Sequence, residues 1–225
     1  MKRFLLFGLY TLIIVVVGGA FAFKVFQPVQ VLPRVRLAPG FSLIKDDGER
    51  LTNEDLRGQF TLYSFTYTRC DDPACAALDE NMLAIQNQLD TLDFGDIPIS
   101  LVTISVDPEY DTPEVLQAHA ESVGADPDYW HFATIADPTL LKYVVGGGFE
   151  TYYEHMDDGR IRLDPAFVLV DGWGIIRGEY RYQTLASDSE RIIRHMGVLA
   201  DEVKNSVGSA SVAYEAAHYF LCYAP

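Results

Sequence analysis

From Phe41 onward short apolar strands alternate with helical stretches, and this alternation limits the chain to an α/β architecture more than any other feature does. Phe41–Ile44 and Glu49–Thr52 flank Asp46-Asp47-Gly48, a hairpin signal, and Thr52 or Asn53 can cap a short turn through Leu56. Phe60–Phe65 is a compact apolar strand. After it, Leu78, Met82, Ile85 and Leu89 recur at helical spacing within Ala74–Leu89. Ile99–Val106 has the composition of a second buried strand. Thr112-Pro113-Glu114 opens a helix, with threonine as cap and proline at the first helical position. The pattern further predicts a short strand over Trp130–Thr134 and a helix from Asp137-Pro138 through Val145. It ends with a hairpin of Ala166–Val170 and Ile175–Tyr180 across Asp171-Gly172-Trp173-Gly174, then an amphipathic helix over Ser187–Val203. Such an order implies a central mixed sheet with helices on its faces.

Ahead of this domain, residues 4–23 (FLLFGLYTLIIVVVGGAFAF) carry no charge and follow Lys2-Arg3. About 20 apolar residues suffice for a helix to cross a bilayer. The basic pair keeps the N-terminus cytoplasmic and exports the rest. We therefore expect residues 1–23 to be a single-pass anchor in the cell membrane, with the soluble domain extracytoplasmic. Ala20-Phe21-Ala22 resembles a signal-peptidase site, and cleavage there would export the domain equally. Residues 24–40, with three prolines and no clean periodicity, are expected to be a linker to the domain at 41–203. Residues 204–225 form a tail whose stretch 213–223 is apolar enough to dock, on its own domain or on a partner. A formal net charge of -15 argues against nucleic acid and against anionic headgroups. It suits a cationic partner surface or metal ions.

Cysteine is scarce. Cys70 and Cys75 are neighbours, and Cys222 is distant, which is too few for a disulfide scaffold and points to chemistry at the pair. Set between a strand and a helix, the pair gains from helix N-terminal amides that favour thiolate; Asp71 and Asp72 oppose this and Arg69 balances them in part. Residues five apart on a straight helix would stand about 7.5 Å apart along its axis, too far for a comfortable disulfide. The sulfurs can converge if Pro73 keeps the segment looped. A reduced pair, a metal-binding pair and a disulfide all remain open on these grounds.

Four segments together resemble the Sco/SenC family of copper-handling, thioredoxin-like proteins. They are Phe65-Thr66-Tyr67-Thr68-Arg69-Cys70 with Cys75, the stretch SVDPEYDTPEVLQAHA at residues 105–120, Trp130-His131-Phe132-Ala133-Thr134, and Phe167-Val168-Leu169-Val170-Asp171-Gly172. The resemblance implies a thioredoxin-like fold and one copper ion held by two cysteines and a histidine. It also implies either delivery of that copper to the binuclear copper centre of cytochrome oxidase or reduction of that centre's cysteines. The expected partner is the oxidase subunit with that centre, or another respiratory membrane complex.

The chain departs from the family at two points. Four residues separate its cysteines where the family has three, with Ala76 in place of the usual proline. Counting back eight residues from Asp171, where the family keeps its histidine, gives Leu163. Of five histidines, His119 and His195 fall in predicted helices, His131 on a strand edge and His218 in the tail. His155 is the candidate third ligand beside Cys70 and Cys75, on a turn formed by Asp157-Asp158-Gly159, with the Met156 thioether next to it. Pro165, six residues before Asp171, matches the cis-proline position of thioredoxins and makes Cys70, Cys75 and Pro165 the candidate catalytic set for thiol exchange. Three functions follow: a copper-binding assembly factor (a metallochaperone rather than an enzyme), a thiol–disulfide oxidoreductase, or a redox-idle subunit of a membrane complex.

Overall fold

The computed structural model describes residues 2–26, 29–89, 93–181, 189–208 and 210–220. The chain falls into two compact units, residues 34–201 and residues 1–33 with 202–224.

The larger unit is built on strand β4, Phe60–Thr66, in which every residue is buried. Burial on both faces explains why Phe60, Leu62, Tyr63 and Phe65 do not alternate strictly with polar residues. β4 pairs in parallel with β5, Ile99–Ser105, and β5 in parallel with β6, Trp130–Thr134. Parallel neighbours need crossovers, and helices α2, Pro73–Leu89, and α3, Pro113–Val123, supply them. On the other side β4 pairs antiparallel with β9, Ala166–Val170, with Thr61 opposite Val170. β9 turns back into β10, Ile175–Arg181. The hairpin of β2, Ser42–Lys45, and β3, Arg50–Thr52, joins the sheet through β6, where Ile44 faces Thr134. At the opposite edge β1, Arg36–Leu37, pairs with β10. The sheet is therefore mixed and eight-stranded, and its strands carry most of the largest buried side chains. Polar groups inside it are matched: the Thr103 hydroxyl meets the Ser64 hydroxyl at 2.8 Å and accepts the Trp130 indole N–H at 2.8 Å.

Local chemistry sets the element ends. Thr112 caps α3, and Gly124, in the left-handed region at φ 78°, ends it. The helix expected after Asp137 forms as α4, Pro138–Leu141, and then widens into a π-helical turn over Lys142–Gly148. Three successive glycines hold a regular helix weakly. The wider turn closes with the Phe149 N–H on the Val144 carbonyl at 2.9 Å. It delivers the Phe149 ring into the core, 4.8 Å from Tyr63 and 5.3 Å from Phe65. Gly148 is required here because a Cβ would lie 2.4 Å from that of Pro39.

Two features lie where the sequence gives little strand signal. Arg36–Leu37, within the stretch expected as linker, is the paired edge strand β1. Residues 153–163 form a separate two-stranded ribbon, β7, Tyr153–His155, and β8, Ile161–Leu163. The turn at Asp157-Asp158-Gly159 is where the sequence places it, with the Met156 N–H on the Arg160 carbonyl at 2.8 Å.

In the smaller unit the apolar run folds as helix α1, Lys2–Phe26. Its described side chains are those of residues 6–22 and Val25, and among the described residues no helix is long and apolar enough to cross a membrane. The unit also holds the end of α5, Ser189–Lys204, and helix α6, Ser211–Phe220, with His218 2.9 Å from Glu202. Cys222, the end of the apolar tail stretch and the expected helix start at Ser187 lie outside the described residues.

The β9–β10 hairpin rests on a buried ion pair. Arg177 meets Asp171 at 2.9 Å with both side chains 4% exposed or less. The other Asp171 oxygen accepts the Trp173 and Ile175 N–H groups. Removing one partner of such a pair strands the other charge. Arg177→Met is expected to lower the unfolding free energy by about 3–5 kcal/mol in denaturant titrations. A loss below about 1 kcal/mol would show that the hairpin does not depend on the pair.

Candidate functional site

The central strand β4 ends at Thr66, and the loop Tyr67–Asp72 carries the chain to α2. Asp72 starts that helix: its carboxylate accepts the Ala74 N–H at 2.8 Å and its carbonyl the Cys75 N–H at 3.0 Å. Cys75 therefore sits in the first helical turn. Cys70 precedes the helix, with its N–H on the Tyr67 carbonyl at 3.1 Å. Because only one of the two is helical, their Cα atoms stand 6.2 Å apart and the sulfurs form a disulfide. The longer spacer is thus taken up by the loop ahead of Pro73. The two sulfurs are not equivalent: Cys75 is 6% exposed inside the core cluster, whereas Cys70 is half-buried at its edge. A reagent from solvent meets Cys70 first.

A polar clasp that the sequence did not single out holds this loop. Asp111 is fully buried and accepts the Thr68 N–H at 3.0 Å and the Thr68 hydroxyl at 2.5 Å. It also accepts the Ser105 hydroxyl, at the end of β5. Asp107, 3% exposed, accepts from the Arg69 guanidinium at 2.5 Å, and Arg69 lies 4.1 Å over the Tyr110 ring. Its hydrogen bond to Asp107 raises the Arg69 pKa above the ordinary value. All these acceptors come from one segment, Ser105–Asp111, and the signal that could have found them was the resemblance at residues 105–120.

From the other side the ribbon closes on the loop. The Tyr67 hydroxyl donates to the Ile161 carbonyl at 2.9 Å. Burial pushes the Tyr67 phenol up, and the carboxylates of Asp71, Asp72 and Asp107 add to it. His155 faces Ile161 across the ribbon, and Leu163 faces Tyr153. His155 is exposed, its ring 6.1 Å from that of Tyr153, on the rim of a cavity of about 550 Å³ floored by Val106, Pro108 and Leu141. The Lys142 ammonium closes one wall of it, 4.0 Å over the Tyr153 ring. Burial pushes the Tyr153 phenol up to about 12.

Of the candidate residues, the fold brings Cys70 and Cys75 into covalent contact and places His155 on the ribbon fastened to their loop through Tyr67. It does not join His155 to them as a ligand set: among the described residues no group of three or more His, Cys, Asp or Glu side chains is placed to hold a metal ion. Leu163 packs, partly buried, against the apolar cluster that Cys70 borders. Pro165 precedes β9 in a trans peptide bond, since no bond among the described residues is cis. The sequence leaves the isomer open between cis and trans, and trans is the one found. Met156 is exposed. His119 and His195 are engaged elsewhere, His119 3.1 Å from Asp79 on α2 and His195 2.7 Å from the Tyr180 hydroxyl.

Residues 30–197 match the SCO1/SenC family, a span that includes the sheet, the disulfide loop and the ribbon. The chain belongs to this family. It is 30% identical over 176 residues to a Stutzerimonas stutzeri protein named for copper binding, an alignment covering 73% of this chain and 79% of that protein. The SCO1 homolog of Bacillus subtilis is 30% identical over 94 residues, covering 42% of this chain and 47% of that protein. A SCO2-like protein of Rickettsia prowazekii is 34% identical over 89 residues, covering 40% and 42%. The chain thus spans about half the length of these two curated relatives. Among solved structures, a SCO1/SenC family lipoprotein of Bacillus anthracis superposes with a TM-score of 0.66 at 24% identity, over 73% of this chain and 95% of that one. Copper-bound ScoI of Arabidopsis thaliana gives 0.61 at 23% identity, over 75% and 98%. These superpositions establish the thioredoxin-like fold of the family.

Asp111→Ala removes the acceptor for three donors and is expected to cost about 2–3 kcal/mol of stability in denaturant titrations. In the reduced chain Cys70 should alkylate ahead of Cys75. Equal rates would contradict the burial difference between them.

Proposed function

We propose that this SCO1/SenC protein is a membrane-anchored, extracytoplasmic copper-binding assembly factor for the copper centre of a respiratory oxidase, with copper as its cargo. The observation that carries the reading is a cysteine pair at the strand-to-helix junction of a chain matching this family over residues 30–197. Two thiolates, one in the loop and one in the first turn of α2, are soft donors that select Cu(I). In the disulfide the donors are masked, so two electrons must arrive and break the S–S bond to give the two thiolates before Cys70 and Cys75 can serve as ligands. His155 is the proposed third ligand. What supports it is its place opposite Ile161 on the ribbon to which Tyr67 fastens the cysteine loop, and an imidazole beside two thiolates would accommodate Cu(II) as well. α1 is the proposed anchor, with the N-terminus cytoplasmic. The proposed partner is the oxidase subunit that carries the copper centre or another respiratory membrane complex, met outside the membrane.

A second reading draws on the disulfide itself. As a thiol–disulfide oxidoreductase, the chain would attack a partner disulfide with the Cys70 thiolate and release one partner thiolate. Cys75 would then displace the mixed disulfide, leaving the partner as a dithiol and this chain with the Cys70–Cys75 bond. The greater exposure of Cys70 supports it as the attacking sulfur.

Copper titration of the reduced full chain in detergent, without oxygen, tests the first reading. Wild type is expected to bind one copper with sulfur-to-copper absorption, lost in Cys70→Ser/Cys75→Ser. His155→Ala is expected to weaken binding at least tenfold, since the partners that merely orient a ligand are typically worth about 10–100-fold. Absence of specific binding in wild type would sink the copper reading. The reduction potential of the pair, and trapping of a mixed disulfide by Cys75→Ser, would then separate thiol exchange from a redox-idle subunit.

A further inference from the structure

Three apolar side chains stand in solvent beside one another at the end of the sheet away from the disulfide. Trp173, at the tip of the β9–β10 turn, is 76% exposed, Leu37 67% and Val35 47%. The backbone holds them together. The Val35 N–H donates to the Ile176 carbonyl at 2.9 Å, the Ala38 N–H to the Gly174 carbonyl at 2.8 Å, and Leu37 pairs with Ile175. Val35 and Leu37 flank Arg36 along the edge that pairs with β10, and both are exposed. Trp173 is not on a loose loop: its N–H is bound to Asp171 at 2.9 Å and its carbonyl accepts from the Arg57 guanidinium. The other tryptophan, Trp130, is fully buried.

Chain connectivity says what lies near this patch. β1 is the first strand after α1, and nine residues from Phe26 to Val35 span at most about 30 Å. That bound holds whatever the orientation of the two units. The charges named around the patch are ion-paired, with one glutamate in excess: Arg36 bridges Glu179 at 2.5 Å and Glu150 at 3.5 Å, and Arg57 lies 3.4 Å from Glu54. A tryptophan with aliphatic neighbours and paired charges suits the headgroup level of a bilayer, where amphipathic rings concentrate.

We infer that Trp173, Leu37 and Val35 form a foot that seats the domain on the zwitterionic interface of the bilayer holding α1. This rests on the proposed membrane anchor. The foot would orient the site. Thr61 of β4 pairs with Val170 just before the Trp173 turn, and β4 runs from there to the cysteine loop over a distance on the order of 20 Å. A domain seated on the foot therefore holds Cys70 away from the lipid, towards a partner domain outside the membrane.

The two tryptophans make the test direct. The full chain is reconstituted in phosphatidylcholine vesicles with and without brominated acyl chains. Flotation, emission and iodide quenching are read for wild type, Trp173→Phe and Leu37→Asp. Expected is bromolipid quenching of wild type that disappears in Trp173→Phe, which leaves only buried Trp130, and that falls in Leu37→Asp, while all three float. A chain that floats but keeps Trp173 open to iodide and unquenched by bromolipid would overturn the foot and leave the anchor standing. A chain that fails to float would remove both. Shielding of Trp173 that rises with protein concentration rather than with lipid would assign the patch to a second copy and overturn the inference.

Discussion

Asp111 is a carboxylate with no exposed surface, and the donors it accepts come from the ends of two parallel strands. Thr68 stands just past β4 and gives both its N–H and its hydroxyl; Ser105 closes β5 and gives its own. A buried carboxylate is tolerable only when its oxygens are filled in this way. Satisfying it fixes where the chain leaves the sheet, and so where Cys70 stands relative to the helix that carries Cys75. Arg69 on Asp107 and Tyr67 on the ribbon hold the same loop from its other sides. The cysteine pair is the point on which these separate anchors converge.

The clasp also makes an unusual cysteine spacing workable. With four residues between the cysteines, a helix beginning earlier would carry the sulfurs apart. Asp72 and Pro73 start α2 late enough that Cys70 stays in the loop and the Cα atoms come within 6.2 Å. On the ribbon the pattern is altered too. Leu163 packs at the edge of the core, while His155 projects into solvent across from the strand that Tyr67 grips. Apolar burial at one position and an exposed imidazole at another is a division of labour that a ribbon permits, because its two strands are held in fixed register.

Much of this was legible in order, and the exceptions have physical causes. β4, β5, β6 and β9 are buried runs, and such runs announce themselves by composition. α2 and α3 show apolar spacing or a capping threonine with proline. β1 was hidden because two residues carry no periodicity, and its pairing depends on β10, some 140 residues later in the chain. The π-helical turn carries the apolar pattern of an ordinary helix, weakened by three successive glycines; that it sets the Phe149 ring beside Tyr63 and Phe65 is visible only in the fold. The isomer at Pro165 was open because its place in the sequence does not determine it; the fold holds it trans.

By itself the sequence determined the alternation of strands and helices, the position of the cysteine pair at a strand-to-helix junction, and the apolar N-terminal helix. These follow from composition and spacing within a few turns of chain, which local physics settles. Only the tertiary structure decided which sulfur faces solvent, which carboxylates hold the loop, where His155 stands, and that Trp173, Leu37 and Val35 come together at the far end of the sheet. Each of these joins residues distant in the chain, and burial and hydrogen-bond matching between distant segments have no signature until the segments meet.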